Sequence, residues 1–212
     1  LTAGLPELRQ ACADWMRRRY DGLTVNPDTE VLPVLGSREA LFSFVQTVLN
    51  PASDDLKPIV LSPNPFYQIY EGAAILGGGE IRFANCPAPS FKPDWKSITE
   101  DVWQRTKVMF VCSPNNPSGS VLQLEDWQEI FDLQDKYGFI IASDECYSEI
   151  YFDGNKPIGG LQAAAQLGRG NRNIVMFTSL SKRSNVPGLR SGFVAGDAEL
   201  LKNFLLYRTY HG

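Results

Sequence analysis

The sequence predicts a three-layer α/β/α fold, in which a mainly parallel sheet lies between two layers of helices. Short apolar runs typical of buried strands alternate through most of the chain with segments whose apolar residues recur at helical spacing. The composition, 43% hydrophobic and 21% charged over 212 residues, is that of a globular protein long enough for one large core. No repeat, low-complexity tract or linker divides the chain, so residues 1–212 are expected to form one domain.

The predicted strands are short runs rich in Val, Ile, Leu, Phe or Met, each followed by turn-forming or polar residues. Runs that are apolar on consecutive residues are typical of strands buried on both faces of a parallel sheet. In chain order, the predicted strands are residues 31–35, 59–61, 81–83, 108–112, 139–143, 174–178 and 191–195.

The predicted helices carry apolar residues three and four positions apart, with charged or polar residues between them. One of them opens with Glu125 and Asp126, as the helix dipole favours. Residues 85–101 combine prolines with mixed polarity, which predicts a surface excursion. In chain order, the predicted helices are residues 6–20, 37–49, 68–76, 124–137, a short helix within 154–172, and 199–210.

Charge and hydropathy exclude several classes of partner. A net charge of −4 provides no basic field for nucleic acid or an anionic membrane surface, and no apolar run is long enough to cross a bilayer. Small molecules or a second subunit are the expected partners. The chain begins at Leu1 rather than Met and stops directly after a helical pattern, so it is expected to be a fragment.

Cysteine usage indicates a reducing environment, and histidine usage excludes a two-histidine metal site. Cys12, Cys86, Cys112 and Cys146 are widely spaced and mostly lie in apolar runs, as small core residues do, which favours a cytoplasmic location. His211 is the only histidine, so this chain cannot supply a two-histidine metal site.

A strand, a glycine, a serine and a helix follow one another around residue 36. Free amide groups at the start of a helix favour an anion, so Gly36 and Ser37 are candidate ligands of a phosphate. The alternative is that Ser37 is an ordinary N-cap.

Further polar side chains follow other predicted strands. Tyr67 could stack on a planar heterocycle, although core packing is the alternative, and Asn116 lies in a turn-rich loop. Asp144 ends an apolar run, where a carboxylate is costly unless a cation such as a protonated pyridine nitrogen pairs with it. A metal shared by Asp144 and Glu145 is the rival interpretation. Because parallel strands end at one edge of a sheet, these residues are expected to meet there.

The last of these strand ends carries a lysine. Lys182 follows the predicted strand 174–178, where water-excluding walls would make its charged form costly and favour an amine nucleophile. Ser179 stands three residues before it and Arg190 eight residues after it, and both are suitable donors to a dianionic phosphate. Together they suggest a phosphorylated aldehyde cofactor. An ordinary surface lysine is the alternative.

These motifs resemble those of class I, fold-type I pyridoxal-phosphate-dependent aminotransferases. The resemblance includes Ser179-x-x-Lys182 with Arg190, the loop Asn116-Pro-x-Gly119, and the pair Asp144-x-x-Tyr147, and it covers nearly the whole chain. It implies the large, cofactor-binding domain of that family, with a mixed seven-stranded sheet. It also implies that the small domain and the amino-terminal arm are absent.

The resemblance implies a role for each matching residue. Lys182 corresponds to the Schiff-base lysine, Asp144 to the partner of the pyridine nitrogen, and Asn116 and Tyr147 to ligands of the phenolic oxygen, while Tyr67 stacks on the ring. It implies catalytic roles for Lys182, Asp144 and Tyr147 and no metal ligand. The implied pyridoxal 5′-phosphate site consists of Gly36, Ser37, Arg38, Tyr67, Asn116, Asp144, Tyr147, Ser179, Ser181, Lys182 and Arg190.

Three longer runs resemble aminotransferases of bacterial lysine and peptidoglycan-precursor synthesis. They are residues 144–152, 182–188 and 204–212. This implies glutamate as the amino donor, a succinylated amino-ketopimelate as the acceptor, and a cytoplasmic homodimer in the intact protein. Two alternatives remain open: a β-lyase of the same fold, and a regulatory domain that senses the cofactor without catalysis.

Overall fold

The computed structural model describes residues 2–49, 56–152 and 154–211, without the side chain of residue 211. Expectations that concern Leu1, the His211 side chain and Gly212 lie outside the described residues. One sheet of seven strands runs through the molecule in the order β1-β7-β6-β5-β4-β2-β3. The strands are Val31–Val34 (β1), Ile59–Asn64 (β2), Glu80–Asn85 (β3), Thr106–Cys112 (β4), Ile140–Asp144 (β5), Ile174–Ser179 (β6) and Gly192–Gly196 (β7).

Strand direction confirms the predicted mainly parallel, mixed sheet. The strands β2 to β6 pair in parallel, whereas β7 lies antiparallel to both β6 and β1. As a result β1 to β6 all end at one edge. At that edge Cys112 pairs with Asp144, and Ser179 pairs with Gly192.

Helices cover both faces of the sheet, as predicted. On one face Met16, Trp127 and Leu161 pack against the strands, and on the other Phe44 and Phe204 belong to a second core cluster. None of the helices among the described residues is long and apolar enough to cross a bilayer. The helices are Pro6–Arg19 (α1), Ser37–Val48 (α2), Ile69–Leu76 (α3), Glu100–Arg105 (α4), Leu124–Tyr137 (α5), Gly160–Gln166 (α6), Leu180–Arg183 (α7) and Ala198–His211 (α8).

Residues 85–101 lie mostly on the surface, as predicted, but their second part contains regular structure that the sequence did not predict. A 3₁₀ turn at Trp95–Ser97 leads into α4, and Trp95 and Trp103 are both buried, with ring centroids 6.5 Å apart. The segment is held by these aromatic anchors rather than by an apolar stripe. A six-residue helix is too short to show helical periodicity in the sequence.

Strand β2 is longer than predicted, because it continues through Pro63 to Asn64. Proline cannot donate to a ladder, which made Leu61 the expected end. The structure tolerates it because β4 pairs only with Ile59 to Leu61, so beyond that point only β3 lies alongside.

Candidate active site

A cavity of about 510 Å³ opens at the edge where the parallel strands end. It is lined by every residue of the predicted cofactor site except Gly36, which directly precedes Ser37 and lies against the Arg190 guanidinium. Cys146 and Pro187 also line the cavity, and neither was predicted. The lining consists of Ser37, Arg38, Tyr67, Asn116, Asp144, Cys146, Tyr147, Ser179, Ser181, Lys182, Pro187 and Arg190.

One end of the cavity is formed where β1 passes into α2. Gly36 is the N-cap of α2 and Ser37 is its first residue, so the ordinary N-cap interpretation of Ser37 is wrong. Gly36 has φ of +90°, a conformation that favours glycine. A Cβ atom there would lie 2.5 Å from Nη2 of Arg190. The glycine therefore lets a guanidinium lie against the start of the helix.

Arg190 is held in place by backbone carbonyls. Its Nη1 donates to the Pro187 carbonyl at 2.9 Å and its Nη2 to the Leu35 carbonyl at 3.4 Å. Its own backbone is left-handed, with φ of 48°, which is unusual for a residue with a side chain. Arg38 faces the same end, with its guanidinium carbon 5.9 Å from the Tyr67 ring centroid.

The lysine lies on a short helix that begins directly after β6. Ser179 is the N-cap of α7, and its Oγ accepts the Ser181 amide N–H at 3.1 Å. The two serine hydroxyl oxygens are 2.9 Å apart. The Lys182 side chain is exposed, so the expectation that this chain shields it from water is wrong.

Asp144 also lines the cavity and is only 4% exposed. Its Oδ2 accepts the Tyr70 hydroxyl at 2.6 Å, and its Oδ1 accepts the Cys146 amide at 3.3 Å. Burial raises the pKa of the Asp144 carboxyl, and these hydrogen bonds oppose that rise. Among the described residues no cation neutralises it. The cavity thus offers an anion without a protein counter-ion.

Glu145 is equally buried but belongs to a different environment. Its carboxylate accepts the Tyr20 hydroxyl, the Ser143 hydroxyl and the Gly160 amide, each at 2.8 Å. Tyr20 comes from the end of α1 and Tyr70 from α3, which pack on opposite faces of the sheet, so Asp144 and Glu145 cannot share a metal ion. Within the described ranges no cluster of three or more His, Cys, Asp or Glu side chains could hold one.

The sequence analysis did not predict two residues that the structure places at this site, Tyr70 and Cys146. Tyr70 stands one helical turn after Tyr67, so an i, i+3 relation to a candidate residue was a usable signal. Cys146 carries no such signal, because its relevance depends on Ser37, distant in sequence, whose Oγ lies 2.9 Å from the Cys146 sulfur.

Comparison with known proteins assigns the chain to a family. The model of class I and II aminotransferases matches residues 2–208. The LL-diaminopimelate aminotransferase of Dehalococcoides mccartyi strain BAV1 is 37% identical over 203 residues, which are 94% of this chain and 49% of that protein. The one from Aquifex aeolicus is 38% identical over 200 residues, 93% of this chain and 49% of its own length.

Similar solved structures also include aminotransferases. An aminotransferase from Neisseria meningitidis matches with a TM-score of 0.97 and 82% identity, over all of this chain and 53% of that one. A probable N-succinyldiaminopimelate aminotransferase from Thermus thermophilus matches with a TM-score of 0.85 and 28% identity, over 97% of this chain and 52% of that one. This chain spans about half the length of the curated relatives it matches, and it belongs to the class I and II aminotransferase family.

Proposed function

We propose that the protein containing this chain is a pyridoxal-phosphate-dependent aminotransferase whose cofactor occupies the cavity at the ends of the strands. The observation that carries the proposal is the composition of that cavity. It combines the amine of Lys182, the buried carboxylate of Asp144 and a group of hydroxyls and guanidinium groups. Enzymes of the class I and II family use pyridoxal 5′-phosphate.

The residues fit each part of that cofactor. Ser37, Ser179 and Arg190 offer hydroxyl and guanidinium donors suited to a phosphate dianion, next to a helix start that Gly36 leaves open. Asp144, buried without a cation among the described residues, suits a protonated ring nitrogen. A cavity of about 510 Å³ is within the usual range for small-molecule sites.

The bound cofactor would supply an aldehyde and an electron sink for the substrate. The Lys182 amine would hold the cofactor at its aldehyde, with loss of water, until the substrate amine takes its place. The free amine would then serve as the base that moves a proton from the substrate α-carbon to C4′ of the cofactor. Asp144 would keep the ring nitrogen protonated. Asn116 and Tyr147 would bind the phenolic oxygen, and Tyr67 would stack on the ring.

For the substrate we propose a keto-pimelate derivative as acceptor and glutamate as donor. The curated relatives are named for LL-diaminopimelate, while one structural neighbour is named as a probable N-succinyldiaminopimelate enzyme. The runs at residues 144–152, 182–188 and 204–212 favour the succinylated form. The homodimer of the intact protein and its cytoplasmic location remain part of the proposal.

The cofactor proposal is tested by absorbance spectra of the full-length protein with pyridoxal phosphate, followed by borohydride reduction and peptide mass spectrometry. We expect a visible band that changes on addition of glutamate, and a covalent adduct on Lys182. Lys182→Ala should form no adduct, and its activity should be about 10²–10⁴-fold lower than that of the wild type. Lys202→Ala, at an exposed lysine on α8, is the matched control.

An adduct that persists in Lys182→Ala, or a wild type without a band, would contradict the assignment. The substrate is tested by comparing LL-diaminopimelate with N-succinyl-LL-diaminopimelate as amino donors to 2-oxoglutarate. Release of pyruvate instead of transamination would indicate the β-lyase alternative, and binding without turnover would indicate a sensor.

A further inference from the structure

Tyr70 is the one side chain that donates a hydroxyl hydrogen bond to the Asp144 carboxylate within the described part of the chain. The donor and acceptor oxygens are 2.6 Å apart, as is typical of a charge-assisted hydrogen bond from a hydroxyl to a carboxylate. Tyr70 does not line the cavity. It therefore contacts the candidate cofactor site only through Asp144.

The Tyr70 ring is rigidly packed. It is fully buried, stacks on Phe110 with centroids 4.1 Å apart and an interplanar angle of 15°, and meets Tyr67 edge to face at 5.9 Å. Phe110 belongs to β4, the neighbour of the strand that carries Asp144. This packing fixes the hydroxyl, because the ring has no room to turn away.

The hydroxyl in turn fixes the carboxylate. Tyr70 holds Oδ2 and the Cys146 amide holds Oδ1, and the Cys146 thiol adds a further hydrogen bond to the carboxylate. A carboxylate has about four acceptor sites, so Asp144 keeps acceptor capacity. With both oxygens anchored, the carboxylate plane cannot rotate without loss of a charge-assisted bond. Since Asp144 lines the cavity, the remaining lone pairs are available to a ligand there.

We propose that Tyr70 is a positioning residue that holds Asp144 ionised and oriented toward the protonated ring nitrogen of the cofactor. This inference depends on the proposed function. The titratable groups facing Asp144 are the hydroxyls of Tyr67, Tyr70 and Tyr147 and the thiols of Cys112 and Cys146. All of them are neutral in their protonated form, so Tyr70 is the main stabiliser of the charge.

Removal of the Tyr70 hydroxyl should shift the pKa of Asp144 in a defined direction. Burial raises the pKa of Asp144 and the Tyr70 hydrogen bond opposes that rise, so Tyr70→Phe raises the pKa further. Cofactor binding needs the carboxylate. In Tyr70→Phe the loss of cofactor binding on acidification, called the acid limb below, should therefore occur at higher pH than in the wild type. Cofactor affinity should fall by about 10- to 100-fold at pH values where Asp144 of the wild type is still ionised.

The test measures pyridoxal-phosphate affinity against pH for the full-length wild type, Tyr70→Phe and Tyr20→Phe. Tyr20→Phe is the matched control, because it removes a buried tyrosine hydroxyl that donates to the adjacent carboxylate of Glu145 at 2.8 Å. We expect the acid limb to move only in Tyr70→Phe. Equal behaviour of the two variants, or an unmoved acid limb in Tyr70→Phe, would overturn the proposal.

A second measurement needs no cofactor. In cofactor-free protein labelled with ¹³C at aspartate carboxyls, the Asp144 signal, assigned through Asp144→Ala, should titrate at higher pH in Tyr70→Phe than in the wild type. An unchanged titration rejects the role of Tyr70. A wild type that fails to bind the cofactor rejects the proposed function instead, so the two failures are distinguishable.

A third variant covers the case in which Tyr70→Phe does not fold. Fluorotyrosine at position 70 keeps the ring and makes the hydroxyl a stronger donor. The acid limb and the Asp144 titration should then move to lower pH. Movement in the other direction, or no movement, would overturn the proposal.

Discussion

Asp144 and Glu145 are consecutive carboxylates with nearly the same exposure, 4% and 1%, yet they are satisfied in different ways. Glu145 accepts hydrogen bonds from a tyrosine hydroxyl, a serine hydroxyl and a backbone amide. Asp144 accepts one hydroxyl and one amide, and faces a cavity. Burial raises the pKa of both carboxyls, so a perturbed pKa does not distinguish them.

What distinguishes them is whether the protein itself supplies the partners. Glu145 ties the end of α1 to the end of β5, through Tyr20, and leaves no room at Gly159, where a Cβ would collide with the carboxylate. Asp144 keeps acceptor capacity on the side where the cavity opens. An incompletely satisfied buried charge beside a cavity indicates a ligand site, whereas a fully satisfied one indicates an anchor of the fold.

The largest expected effect that would test this comparison is on catalysis. Asp144→Ala should lower the activity of the full-length protein by about 10²–10³-fold, because the transition state loses a preorganised charge. The stability of Asp144→Ala should fall less than that of Glu145→Ala, since fewer hydroxyl and amide donors lose their acceptor. Steady-state kinetics and urea unfolding measure the two effects. Activity close to that of the wild type would remove Asp144 from the site.

The second effect is on stability. Glu145→Ala should lower the free energy of unfolding by about 2–3 kcal/mol, because three buried donors lose their acceptor. Pyridoxal-phosphate affinity of the protein that remains folded should change far less than in Asp144→Ala. If the two variants show the same pattern of lost affinity and lost stability, the comparison fails.

The smallest effect is a pH dependence. Since the folded pKa of Asp144 is raised, the folded state binds its proton more tightly than the unfolded state does. The ordinary pKa of an aspartate is about 3.9. The contribution of Asp144 to stability therefore falls as the pH rises from that value through the raised pKa of the folded state. In cofactor-free protein, the stability difference between wild type and Asp144→Ala should change in that direction. A difference independent of pH would contradict the raised pKa.

Much of the architecture was predictable because strand and helix periodicities are local. The seven apolar runs correspond to the seven strands, and the candidate residues that follow five of them line one cavity at the sheet edge where topology had placed them. The failures occur where local pattern is weak. The short helix α4 depends on buried tryptophans, and β2 extends through Pro63 because only one neighbour pairs with it there.

The candidate site was predictable in its members but not in its connections. Lys182, Asp144 and Arg190 could be selected because amine, carboxylate and guanidinium groups each have a recognisable chemistry. Tyr70 and Cys146 act through residues far away in the chain, Asp144 and Ser37, and a sequence carries no distance information for such pairs.

The sequence by itself therefore determined the order of strands and helices along the chain, the chemical types at each strand end and the family to which they point. Only the tertiary structure decided what each of the two neighbouring carboxylates contacts. The physical reason is that successive side chains at a strand end point to opposite faces. What each meets there, the end of α1 for Glu145 and α3 for Asp144, depends on how helices distant in sequence pack onto the sheet.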